Sequence, residues 1–277
     1  MKSPKPKYQL TSNKSRNDLR AIGIGRCLQL VRKYQARSTC ELYDRCTYVE
    51  WLTITDFWSY HELIKIALEL YIKEQLDDQR AGMWIYAISK YTLGLVDPEQ
   101  QFVFQELFSA NQVDPHHFAT SLMTVLNKSQ QKINCLRIYG TPNSCKSLIA
   151  NLIVEPFICC YMNNHGSENE FYASNMLNKS IILCEELYVT VATAEDFKSI
   201  LGGQPIDISK KFNEKQLLCR TPVVITSNYY LLGRGHLPAL DENALNIRTI
   251  TYHFNTEFKP RVKLTCDQFY HFMFNKA

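Results

Sequence analysis

Several features are missing from this sequence, and each absence narrows the reading. No run approaches the roughly 18 consecutive apolar residues that a spanning helix needs, so a membrane is not an expected partner. Met1 to Arg20 is polar and basic with no apolar h-region, which argues against a secretory signal. The chain has 10 cysteines, at 27, 40, 46, 135, 145, 159, 160, 184, 219 and 266. None forms a CxxC pair, and no histidine stands at zinc-finger spacing from them. With no secretory signal they read as free thiols in a reducing compartment. The expectation is a soluble, intracellular protein. Repeats and low-complexity tracts are missing too. What is present is ordinary for a packed chain: 277 residues, 45% hydrophobic and 21% charged. That is too apolar for disorder and long enough for one large domain or two small ones.

The net charge of +4 is unevenly spread. Up to Ser38 the chain carries Lys2, Lys5, Lys7, Lys14, Arg16, Arg20, Arg26, Arg32, Lys33 and Arg37 against one acid, Asp18. Such an arm suits nucleic-acid contact or a nuclear address; the alternative is a solvated tail.

Apolar spacing is weak over the first 50 residues, which read as irregular or partly helical. A helix is predicted from Ser59, with Ser59 and Glu62 at capping-box spacing. Leu63, Ile66, Ala67, Leu70 and Tyr71 form its expected buried face, and Lys65, Glu69 and Lys73 its solvent side. Further helices are predicted at 80–92, 100–109 and 115–127, the last opened by Asp114 and Pro115. From about residue 135 short apolar runs alternate with helical stretches. Strands are predicted at Leu136–Tyr139, within 154–161, at Ile181–Cys184, at Val223–Thr226 and at 247–254, with helices at 146–154 and 194–201. That alternation implies a mostly parallel sheet covered on both faces. The expected organisation is a basic arm (1–50), a helical subdomain (51–134), an α/β core (135–256) and a C-terminal tail (257–277).

Three segments carry chemistry. Gly140, Thr141, Pro142, Asn143, Ser144, Cys145, Lys146 and Ser147 follow a predicted strand and open a predicted helix. That is the setting of a phosphate-binding loop, whose backbone N–H groups and helix N-terminus cradle phosphates. Lys146 would reach the β/γ-phosphates, and the Ser147 hydroxyl would hold Mg²⁺. An ordinary strand–turn–helix with a chance Lys-Ser is the alternative. Ile181–Cys184 runs into Glu185 and Glu186, carboxylates at the strand end that faces a ligand crevice. One, Glu185, suits Mg²⁺ and the other, Glu186, suits orienting water. The alternative is a pair of surface acids near a helix N-terminus. Val223–Thr226 ends in Asn228, suited to sensing a γ-phosphate, or else a turn-forming Asn.

On these segments, and on Ile200 to Gln216 running into Arg220 to Asn228, the chain from about Trp51 to Phe254 resembles the superfamily 3 helicase domain of parvovirus replication proteins. Phe104 to Phe108 and Val113 to Pro115 resemble the family's helical segment before the phosphate loop. The resemblance implies an α/β, AAA+-like P-loop domain with a central, mostly parallel sheet, preceded by a helical oligomerisation subdomain. It also implies ATP and Mg²⁺ as ligands, self-assembly into a ring, usually hexameric, and DNA, expected single-stranded, as substrate. A hairpin at about 206–218 would line the channel, with Lys210, Lys211, Phe212 and Lys215 near its tip; lysines there contact phosphates and an aromatic packs on a sugar or base. Glu185, Glu186, Asn228 and Lys211 are the implied catalytic set.

Four departures stand beside the match. Cys145 occupies the position of a glycine. Asn243 stands where the family places an arginine finger, with Arg234 as a substitute and Arg248 expected to point elsewhere. Asn213 replaces one of two family lysines. No His-x-His pair marks a nicking domain, and an architecture without one resembles the stand-alone homologues of larger DNA viruses such as aviadenoviruses, which would place the protein in the host nucleus. Two readings follow: an active ATP-dependent DNA helicase, or a degenerate relative that binds DNA or co-assembles with another Rep-like subunit and hydrolyses little or no ATP.

Overall fold

The computed structural model describes residues 16–162, 172–210 and 213–277. It divides into two compact units, Met1–Gln75 and Leu76–Ala277, with the division inside a long helix. The boundaries therefore differ from those expected at 50 and 134.

The first unit is helical: α1 (Arg16–Tyr34), α2 (Thr39–Arg45), α3 (Tyr48–Thr55) and most of α4 (Tyr60–Ala81). The described part of the basic arm is thus a helix, and its cations have partners. The Arg32 guanidinium forks onto Glu74 at 3.0–3.2 Å, and Lys33 Nζ lies 2.5 Å from Glu50. Lys2, Lys5, Lys7 and Lys14 lie outside the described residues. The capping box is at Thr47 and Glu50 rather than at Ser59 and Glu62. Ser59 has φ +59 and takes the Glu62 and Leu63 N–H groups on its backbone carbonyl, whereas an N-cap needs extended backbone. The buried face of α4 is Leu63, Ile64, Ala67, Leu68 and Tyr71, packed with Cys27, Val31, Leu42 and Ile54. Leu70, expected inside, is 48% exposed; the face is turned so that Ile64 and Leu68 take the inner positions.

The second unit opens with α5 (Met83–Tyr91), α6 (Pro98–Ala110) and α7 (Pro115–Leu126). Asp97 and Asp114 cap α6 and α7, each with proline at the first helical position. Then come β1 (Cys135–Gly140), α8 (Lys146–Val154), β2 (Cys159–Met162), β3 (Ile181–Glu185), α9 (Ala194–Gly202), β4 (Ile206–Lys210), β5 (Asn213–Leu218), β6 (Val223–Ser227), α10 (Ala239–Asn246), β7 (Thr249–Phe254) and α11 (Cys266–Phe274). The main sheet runs β2-β3-β6-β1-β7, every pair parallel, with β7 at the edge. Alternate side chains feed two cores, as the period of a strand requires. Leu136 and Ile138 join α8 on one face, while Cys135, Val223 and Ile225 join α9 on the other. β4 and β5 form a separate antiparallel hairpin over the expected residues.

The expected C-terminal tail is instead part of the core. Phe269, Tyr270, Phe272 and Met273 of α11 are buried, and Phe272 stacks on Phe104 of α6 with ring centroids 5.5 Å apart. A run of aromatics at helical spacing buries too much apolar area to stay in solvent, at about 1.5–3 kcal/mol per side chain.

Candidate nucleotide site at the C-terminal end of the sheet

The parallel sheet sets the geometry. β6 lies between β3 and β1, so the loops after all three strands open on the same end, where ligands of such sheets bind. The loop after β1 begins at Gly140, with φ +143. A Cβ there would come 1.8 Å from the Phe254 carbonyl oxygen, so only glycine allows β7 to lie alongside. Asn143 and Cys145 both take left-handed backbone, φ +58 and +65, and Cys145 is the N-cap of α8 without a side-chain cap bond. The first-turn N–H groups of α8 therefore face a cavity of about 690 Å³ lined by 143–148 and 257–260. This is the arrangement that holds phosphate at a helix N-terminus.

Lys146 is only 6% exposed. Its ammonium donates to the Thr141 carbonyl and lies 3.4 Å from Ser144 Oγ. Burial pushes its pKa below the ordinary lysine range, and the Glu186 carboxylate pulls it part of the way back. Burial pushes the Cys145 thiol up, so it stays protonated; its Sγ lies 3.0 Å from the Phe258 carbonyl oxygen. The Phe258 N–H in turn donates to Asn143 at 3.0 Å. The segment after β7 thus braces the loop, a role that nothing in its composition marked.

Glu186 and Asn228 meet. The Glu186 N–H donates to Thr226 at 2.8 Å, tying the end of β3 to β6, and the Asn228 N–H donates to Glu186 Oε2 at 3.3 Å. Glu186 has φ +52, the turn that aims its side chain toward this loop system. Glu185 is exposed, and no described contact joins its side chain to the loop. Ser147 lines the cavity. The Ser147 hydroxyl and the Glu186 carboxylate, whose charge acts on Lys146, fit Mg²⁺, which keeps most of its ligands as water and phosphate oxygens; no described contact brings Glu185 to the cradle.

The arginines sort out by position. Asn243 is exposed on α10. Arg248 turns its guanidinium back to the Ala244 carbonyl. Arg234 lies beside the acids: Nη2 donates to the Glu186 carbonyl at 3.2 Å, and the guanidinium packs over Tyr229 (4.5 Å) and Tyr188 (5.1 Å). Its loop is held by the buried carboxylate of Glu242, which accepts from the Leu232 and Gly233 N–H groups. Arg137, fully buried on β1, donates to Asn246 Oδ1 at 3.0 Å and to the Tyr229 and Tyr230 carbonyls just past Asn228. Sequence reasoning missed both Glu242 and Arg137; a charged residue inside an apolar strand was the available signal. At the hairpin, Lys210 ends β4 and Lys215 is exposed on β5, while Lys211 and Phe212 lie outside the described residues.

An all-parallel sheet of this order, with a phosphate-type loop on β1 and a carboxylate at the end of β3, defines a P-loop domain. Known proteins place it further. The family model for parvovirus non-structural protein NS1 matches residues 47–274, and the chain belongs to that family. Among curated relatives, initiator protein NS1 of human parvovirus B19 (isolate AU) is 26% identical over 162 residues, 57% of this chain and 24% of that protein. Protein Rep52 of adeno-associated virus 2 is 30% identical over 125 residues, 44% of this chain and 31% of that protein. The chain thus spans about a quarter to a third of the length of these relatives. A solved JCV helicase shares the fold, with a TM-score of 0.60 at 13% identity over 84% of this chain and 78% of that one. The expected family and fold class are borne out.

Proposed function

We propose that the chain binds ATP with Mg²⁺ at residues 140–147 and couples its hydrolysis to movement along DNA in viral replication. The observation that carries this reading is the meeting at one sheet end of the α8 N-terminus, Lys146 and the Glu186–Asn228 pair. Lys146 would neutralise the phosphates, and the N–H groups of the first turn of α8 would hold them. Glu186, fixed by β6, would orient the attacking water and take up its proton, and Asn228 would sense the terminal phosphate. Ser147 and Glu185 would hold Mg²⁺, which supplies neutralisation of the charge on the phosphate oxygens. The relatives named as initiator proteins and the helicase fold support DNA as the substrate. A ring of copies, usually hexameric in this family, with Lys210, Lys211, Phe212 and Lys215 toward single-stranded DNA, and action in the host nucleus belong to the same proposal.

A second reading has its own observation. Asn243 is exposed on α10 where the family has an arginine finger, worth roughly 10³–10⁵ in rate where measured. With Arg234 bound to its own chain's Glu186 carbonyl, the protein would bind nucleotide and DNA yet hydrolyse slowly, acting as a regulator or co-assembling with another Rep-like subunit.

ATP turnover with and without single-stranded DNA, beside Lys146→Ala, separates the two. DNA-stimulated turnover that Lys146→Ala lowers by about 100-fold or more supports the motor. Equal, negligible turnover in both proteins overturns it.

A further inference from the structure

At the opposite end of the sheet, the second unit holds a small pocket of about 300 Å³ where the hairpin returns to β6. Four basic side chains line it: Arg80 at the end of α4, Lys128 after α7, Lys179 before β3 and Arg220 before β6. No Asp or Glu among the described residues lines it. Unbalanced like charge in a concave site raises the local potential and draws in anions.

The pocket is built rather than incidental. The Arg220 Nε donates to Asn134 Oδ1 at 3.2 Å, and Nη2 donates to the Gln130 and Ile133 carbonyls at 2.6 and 2.8 Å. All three acceptors are neutral, so the guanidinium is aimed without losing its charge to a carboxylate. Asn134 is fully buried, and its amide donates to the Ile200 and Thr221 carbonyls at 3.0 and 2.7 Å. Gly203, at φ +69, lets the arginine pass: a Cβ there would stand 2.6 Å from Arg220 Nε. Lys128 sits on left-handed backbone, φ +55, past the end of α7. Burial, then the charges of Arg80 and Arg220, push its ammonium below the ordinary lysine range. An anion in the pocket would relieve that repulsion.

We propose that Arg80, Lys128, Lys179 and Arg220 form a phosphate-binding pocket for the backbone of a nucleic-acid strand, a second contact at the base of the hairpin. The strand is preferred over a free anion because β5 joins the pocket to Lys215. Gln216, next to Lys215 on β5, already lines the pocket, and Leu217, Leu218 and Cys219 continue the lining. A phosphodiester chain following β5 from the hairpin would meet these four side chains next. The proposal rests on the DNA reading and adds to it a site away from the hairpin tip.

The test uses the full chain and a labelled single-stranded deoxythymidine oligonucleotide, with binding measured by anisotropy across a salt series. Lys128→Gln with Lys179→Gln, neither side chain carrying a hydrogen bond among the described residues, should flatten the slope of log K against log salt by about 1.4, at ~0.7 per neutralised phosphate on a single strand. Lys215→Gln serves as the hairpin control. If Lys215→Gln flattens the slope and the double variant does not, this pocket is refuted and the DNA reading stands. If wild type shows no salt-dependent binding, both fall. Inorganic phosphate distinguishes the other source. If it raises the melting temperature of wild type but not of the double variant, while the oligonucleotide slope is unchanged, the pocket takes a free anion and the strand proposal is overturned. A circular-dichroism melt matching wild type establishes that the double variant is folded.

Discussion

The two ends of the five-stranded sheet handle charge in opposite ways. At the C-terminal end a cation and a carboxylate face each other: Lys146, buried in the loop, and Glu186, held by the β6 backbone. At the other end Arg220 is aimed by an amide and two carbonyls, and three further cations share its pocket. Balanced charge suits the proposed chemistry, in which a carboxylate beside bound phosphates would act on water. Unbalanced charge suits only attraction. On the proposed reading one sheet separates turnover from grip, with Arg137 on β1, inside the sheet, tied to the loop after β6 and to the last residue of α10.

The largest expected effect comes from breaking the balanced end. Glu186→Gln keeps the shape and the Asn228 contact but removes the base, so ATP turnover should fall by about 100-fold or more with oligonucleotide affinity and its salt slope unchanged. If the salt slope shifts with the turnover, the two ends are not separable. Next is the connection between them. Arg137→Met leaves Asn246 Oδ1 and two carbonyls unpaired, at a cost of about 1–3 kcal/mol, a fall in Tm of roughly 5 °C for a chain of this size. Arg137 Nε has no hydrogen-bond partner among the described residues, so an unchanged or higher Tm would mean that the arginine costs as much as it contributes. The smallest effect refines the balanced end. Cys145→Gly removes a Cβ from backbone at φ +65, a strain of about 1–2 kcal/mol. The melting temperature should rise by about 2–4 °C. An unchanged Tm would show that the Cys145–Phe258 contact already offsets the strain.

Much of this was legible before any coordinates. The strands β1, β3, β6 and β7, the helices α5 to α9 and the Asp-Pro start of α7 rest on local rules of period and capping, and the structure follows them, while the hairpin at 206–218 was legible only through the family resemblance. The loop at 140–147 was readable because its chemistry is contiguous. What failed did so for identifiable reasons. The first helices were obscured because α1 carries its cations outward to acids far away in sequence, such as Glu50 and Glu74. The capping box went to Thr47 because Ser59 adopts a backbone that cannot cap. The chain after β7 looked like a tail because burial of α11 depends on α5 and α6, more than 150 residues earlier.

The sequence by itself determined which segments become strands and helices, and which residue types a phosphate loop and its acids would use; these follow from periodicity, capping and contiguous motifs. Only the tertiary structure decided which of them meet. It inserted β6 between β3 and β1, chose Glu186 as the acid that meets Asn228, brought Arg234 to the backbone carbonyl of the same residue, set Phe258 against Cys145, and collected Arg80, Lys128, Lys179 and Arg220 into one pocket. The reason is physical: strand order and side-chain convergence are set by packing among residues distant in the chain, and local propensity carries no term for that.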